Sequence, residues 1–94
     1  MRDVIAALTE ALERNEPVAL ATVVDVQGAS PAQVGFKLLV RPAPPGGGTG
    51  GSAVGNVGGG ELEQRVREEA MLALQEGRSR LFRSTLREEG PEAL

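Results

Sequence analysis

Three consecutive glycines, Gly58, Gly59 and Gly60, run directly into Glu61-Leu62-Glu63-Gln64-Arg65-Val66, a stretch of good helix formers with apolar residues at helical spacing. No other feature restricts the fold as strongly, because bare backbone must turn the chain here and deliver it into a helix. The spacing predicts that helix over residues 61–76, with Leu62, Val66, Ala70, Ala73 and Leu74 on its inward stripe and Gly77 placed to end it. The turn also gathers unprotected backbone N–H groups and the positive end of a helix dipole at one exposed point. Such a point holds a ligand's acceptor group or the helix's own carboxylates.

The rest of the chain supplies the layers around this turn. Asp3 reads as the N-cap of a first helix reaching Asn15, with Val4, Ile5, Leu8, Ala11 and Leu12 on one stripe and Glu10 four residues before Arg14. Residues 18–26, VALATVVDV, are β-branched and nearly continuously apolar, the pattern of a central strand covered on both faces. Gln27-Gly28-Ala29-Ser30-Pro31 breaks it with turn chemistry, and residues 36–41 give a second strand. Residues 42–53 are low-complexity Pro and Gly, read as an exposed hairpin connection. Residues 52–57 return as a third strand, residues 80–86 alternate weakly as a last edge strand, and residues 87–94 read as a loosely held tail. The expected fold class is α+β: a small mixed β-sheet with two helices, in the order α-β-β-β-α-β, forming one domain over residues 1–86.

Composition narrows the function. The 94 residues contain no cysteine and no histidine, which removes disulfides, thiolate nucleophiles and the commonest general base and metal ligand. A net charge of −3 with two aromatic residues, Phe36 and Phe82, argues against nucleic acid as a partner. No apolar run has the length of a membrane span, so a soluble cytoplasmic protein is expected. Ser30 before Pro31 invites a nucleophile reading, yet no His or Lys base adjoins it in sequence, and a turn serine is the plainer account.

With these elements placed, three groups of residues fall in the order found in one family. They are Pro17-Val18-Ala19-Leu20-Ala21-Thr22-Val23-Val24; Gly28-Ala29-Ser30-Pro31 with Gly35 and Leu38-Leu39-Val40; and Gly55-Asn56-Val57-Gly58-Gly59-Gly60 with Leu62-Glu63. The chain resembles the N-terminal domain of the XdhC/CoxI family, the accessory proteins of xanthine dehydrogenase and carbon monoxide dehydrogenase. The resemblance implies a role in molybdoenzyme maturation without turnover of its own: binding molybdopterin or the molybdenum cofactor transiently and delivering it to a molybdenum hydroxylase apoenzyme. It implies cofactor binding by Gly58, Gly59, Gly60, Glu61, Glu63 and Ser30. Two departures stand out. Glu61 occupies the position where family members commonly carry cysteine, so a thiolate-dependent role does not transfer. Family members also continue into a Rossmann-like domain that this sequence lacks. A separate accessory chain is the corresponding alternative partner, with this chain as one half of a two-chain complex and a non-catalytic interaction module.

The residues themselves leave the site open. Glu61 and Glu63 both lie in a first helical turn, four residues before Arg65 and Arg67, so dipole stabilisation and helix ion pairs of about 0.2–0.5 kcal/mol each account for them in full. A metal site of Glu61, Glu63 and Asp25 would have oxygen ligands alone and suit Mg²⁺ or Ca²⁺, but the spacing does not require it. Arg78, Arg80, Arg83 and Arg87 read either as a patch for an anionic partner or as a charged edge. Met71 and Leu72 point away from the inward stripe of their helix, which predicts a homo-oligomer contact there.

Overall fold

The computed structural model describes residues 1–42 and 51–84. Its elements follow in the order α1 (Arg2–Glu13), β1 (Ala19–Thr22), β2 (Lys37–Val40), β3 (Ala53–Gly55) and α2 (Gly60–Glu76), the expected α+β arrangement of two helices on a small sheet. The three strands form a sheet in the order β1-β2-β3, antiparallel at both junctions, with Leu39 of β2 facing Leu20 on one side and Val54 on the other. It is therefore an antiparallel sheet among the described residues, where a mixed one was expected.

Pleat alternation in β2 places the two helices. Leu38 and Val40 point to one face and join Val57, Val66 and Ala70 in a single buried cluster, against which Leu62, Met71 and Phe82 also pack. That face belongs to α2, which lies over β1 and β2. Leu39 points to the other face and is fully buried there under α1, which lies over β2 and β3 and buries Val4 and Ala11. Arg41 follows Leu39 on the α1 face and ties that layer together. Its Nη2 donates to the Ala7 carbonyl at 3.4 Å and to Glu10 Oε1 at 3.1 Å, while its buried Nε has no partner among the described residues. Glu10 also meets Arg14 at 3.2 Å, the helical pair expected from spacing.

Several expectations need correction. The N-cap of α1 is Met1, and Asp3 sits in the first turn, where its charge still favours the dipole. The apolar run of residues 18–26 is not the central strand: β1 is an edge, Leu20 is 41% exposed and Val24 63%. The central position belongs to β2, whose three apolar residues are all buried. Ile5 and Leu12, expected inward, are 49% and 67% exposed among the described residues, where α1 packs mainly on β2 and β3. Met71 is partly buried against the α2-face cluster, which removes it from the proposed contact surface; Leu72 remains 39% exposed. The expected last strand does not form over residues 80–84, where Phe82 packs against the cluster without strand pairing; its remainder, the tail 87–94 and residues 43–50 of the low-complexity connection lie outside the described residues. No helix among the described residues is long and apolar enough to cross a membrane.

Leu39→Ala would open a cavity between the sheet and α1 at a fully buried position. The expected loss is about 2–5 kcal/mol, read as a lowered urea midpoint at unchanged slope. A loss under about 1 kcal/mol would show that α1 can settle into the gap.

Candidate functional site

The strand-to-helix turn is anchored by Val57, fully buried between Leu38, Val40 and Val66, so the glycines that follow start from a fixed point. Asn56 extends the β3 ladder by donating its N–H to the Lys37 carbonyl at 2.9 Å. Its side chain then closes an Asx turn, with Oδ1 accepting the Gly58 N–H at 2.8 Å. Gly58, Gly59 and Gly60 follow with φ of 123°, 90° and 45°, all in the region that L side chains rarely adopt. Gly59 is the N-cap of α2, and its carbonyl accepts the Glu63 N–H at 3.2 Å.

No side chain caps this helix, and the N–H groups of Gly60, Glu61 and Leu62 have no protein acceptor among the described residues. Three donors without a protein partner therefore lie at the positive end of the dipole. At the other end Gly77 takes a left-handed conformation, φ 73° and ψ 28°, and its N–H returns to the Ala73 carbonyl at 2.8 Å, the ending expected from sequence.

A second segment packs against the turn. A Cβ at Gly58 would lie 2.9 Å from the Ala32 nitrogen and 3.1 Å from its Cβ, so the loop before β2 rests directly on the glycine. Ala32 is buried, and its N–H donates to Ser30 Oγ at 3.0 Å. Ser30 thus shapes the loop that touches the turn, which is the role of a turn serine. The structure brings together Gly58 and the loop carrying Ser30; Gly59, Gly60 and Glu61 lie beside them on the open side of the turn. Glu63 is drawn away, its carboxylate accepting from Arg67 Nε at 3.3 Å and Nη2 at 3.1 Å. Glu61 is exposed, and the pair with Arg65 suggested by spacing does not form among the described residues.

Other candidates fall away from the turn. Asp25, Glu61 and Glu63 do not converge, and no cluster of metal-ligating side chains exists among the described residues. Arg80 is held by Glu69 at 2.9 Å and Glu76 at 3.1 Å. The hydrogen bond and charge of Glu69, then those of Glu76, raise its pKa above the ordinary arginine value. A cation so paired offers little to an anionic partner; Arg83 is exposed and Arg87 lies outside the described residues. Open grooves occur elsewhere among the described residues. One of about 400 Å³ lies between β1, α2 and residues 77–82; one of about 240 Å³ is bordered by Val40, Gln64, Arg67 and Met71. Sequence reasoning missed Asn56 and Ala32. An Asn two residues before a glycine is a legible Asx-turn signal, whereas nothing local announces that Ala32 meets a glycine twenty-six residues later.

Comparison with known proteins adds a family. The profile of the XdhC and CoxI family matches residues 11–85. The chain is 39% identical over 82 residues to the uncharacterized protein YqeB of Escherichia coli (strain K12), a match that covers 87% of this chain and 14% of that relative. No solved structure matches.

Gly58→Ala and Gly59→Ala separate packing from backbone strain at the turn. Both force an L residue to a positive φ, at about 1–2 kcal/mol. Gly58→Ala also meets Ala32, while the space around a Cβ at Gly59 is open. Denaturant unfolding should therefore show a greater loss for Gly58→Ala by about 1 kcal/mol or more, the range of modest overpacking. Equal losses would mean that the Ala32 loop moves aside freely.

Proposed function

The chain belongs to the XdhC and CoxI family, and we propose from that membership that it handles the molybdenum cofactor in the cytoplasm as an accessory to a molybdenum hydroxylase. Family members are accessory proteins rather than catalysts. The absence of cysteine and histidine suits a protein that binds and passes on a group without transforming it. In this reading the redox chemistry of the mature enzyme resides in the metal and its pterin, and this chain contributes only a hold.

The observation that carries the reading is the trio of unpartnered N–H groups of Gly60, Glu61 and Leu62, opening beside the loop that Ser30 shapes. These donors fit an acceptor edge, such as the carbonyl and ring nitrogens of a pterin. Gly59, whose missing side chain would meet nothing within 4 Å, leaves their approach clear. The exposed Glu61 carboxylate works against a dianionic phosphate at the same point, so the pterin edge is the better occupant. Ser30 contributes by fixing the loop under Gly58, and Glu63 by binding Arg67 and leaving the helix start clear. With no thiolate in the chain, the hold is made of backbone donors.

The alternative is a non-catalytic interaction module that forms half of a two-chain accessory complex. Its partner would be a separate accessory chain or the apoenzyme. Titration of the purified protein with molybdopterin, followed by pterin fluorescence, separates the readings. Binding is expected, and Glu61→Gln should tighten it about two- to fivefold at low salt, with the gain shrinking as salt rises. No affinity in the wild type, with binding appearing in Glu61→Cys, would overturn the cofactor role and leave the interaction module.

A further inference from the structure

Among the described residues, β1 pairs on one side alone, with β2. Val23 donates its N–H to the Phe36 carbonyl at 2.9 Å and accepts the Gly35 N–H at 2.8 Å, so both its backbone groups face β2. Antiparallel alternation then turns the groups of Ala19 and Ala21 toward β2 and those of Leu20 and Thr22 outward. No backbone hydrogen bond among the described residues reaches these outward N–H and C=O groups. Residues 77–82 border a groove of about 400 Å³ beside β1 without pairing with it. Natural edge strands are shielded by charge, proline or a bulge. Residues 18–24, VALATVV, contain none of these, and Leu20 and Val24 are exposed.

We propose that β1 pairs antiparallel with β1 of a second copy about a two-fold axis at Ala21, joining the two sheets into one of six strands. The occupant follows from the pattern of the edge. An axis at Ala21 sets Leu20 opposite Thr22 of the second copy, and Thr22 opposite its Leu20. Each facing pair exchanges two hydrogen bonds, so all of the outward groups on this edge are used. The same axis sets Val24 opposite Val18 of the second copy on the face of Leu20, covering apolar side chains that the single chain leaves in water. The residues meeting on the axis are the two Ala21, small enough for the close approach of a pair without hydrogen bonds. No charged residue lies between Val18 and Val24, so no like charges meet across the axis, as they would in most self-paired edges. A foreign strand would satisfy the backbone equally, but only the chain's own sequence brings this alternation with it. The contact is isologous and closed, which limits it to a dimer. It replaces the α2 contact through Met71 and Leu72 with one through the sheet.

The test is light scattering across a concentration series, with residue-resolved amide exchange on the same samples. The expected mass rises to twice the 9.8 kDa of one chain. The Leu20 and Thr22 amides should exchange more slowly as the dimer fills, while the Ala21 amide, bonded to β2, is slow throughout. Thr22→Pro removes an outward N–H that the monomer does not use and should return the mass to that of one chain. Should that variant fail to fold, the exchange pattern of the wild type decides alone. A monomer at every concentration, fast exchange at Leu20 and Thr22 in a dimer, or a dimer broken by Leu72→Glu and untouched by Thr22→Pro would each overturn the proposal.

Discussion

Burial of β2 on both faces is the constraint from which the rest of the domain follows. Leu38 and Val40 face one way and Leu39 the other, and all three are excluded from water. A strand that buries both faces needs a layer on each, so two helices on opposite sides is the smallest solution available to a chain of this length. The site depends on the same strand. Val57 packs against Leu38 and Val40, which fixes the point where β3 gives way to the glycines, and Val66 on the same cluster fixes the direction of α2. The loop carrying Ser30 and Ala32 leads into β2, so its position over Gly58 is set by the strand that it precedes.

Legibility in the sequence tracks how local each feature is. Both helices, their charged pairs Glu10–Arg14 and Glu63–Arg67, and the left-handed ending at Gly77 rest on residues within one or two turns of each other, and the structure contains all of them. The turn after Val57 was likewise readable, since glycines running directly into good helix formers must turn the chain there, and all three have positive φ. Which strand occupies the centre of the sheet was not. Residues 18–26 have a longer apolar run than β2, but run length reports burial on both faces only when both helices cover the strand, and α1 packs mainly on β2 and β3. Ile5 and Leu12 were misplaced for the same reason: a helical stripe shows which residues prefer burial, and the width of the sheet beneath decides how many obtain it.

The candidate site shows the same division. The glycines and the first-turn carboxylates are contiguous and could be singled out together, yet spacing alone assigned Glu61 and Glu63 equal roles. The structure separates them by one side-chain contact. Arg67 takes Glu63, while Glu61 is left without an ion pair among the described residues. One carboxylate is absorbed into the surface of the helix and the other remains beside the unpartnered donors, where its charge bears on anything that approaches.

The turn is held from both sides by the protein itself. Asn56 closes it from the strand side through the Gly58 N–H, and Ala32, positioned by Ser30, closes it from below. With Gly58 committed to both contacts, little freedom remains for the following N–H groups to fold back on the protein. Unsatisfied donors on a mobile loop would find water or a neighbouring carbonyl at small cost. Donors fixed in one direction at a helix start keep their dipole aligned, and a group that accepts from them need not supply the ordering free energy itself. The helix does not fill this position with a capping side chain, although Ser, Thr, Asp or Asn at Gly59 would ordinarily do so; the backbone of Gly59, at φ 90° and ψ 177°, is one that those residues adopt only with strain. The conformation that the turn demands is thus also the one that keeps its donors uncapped.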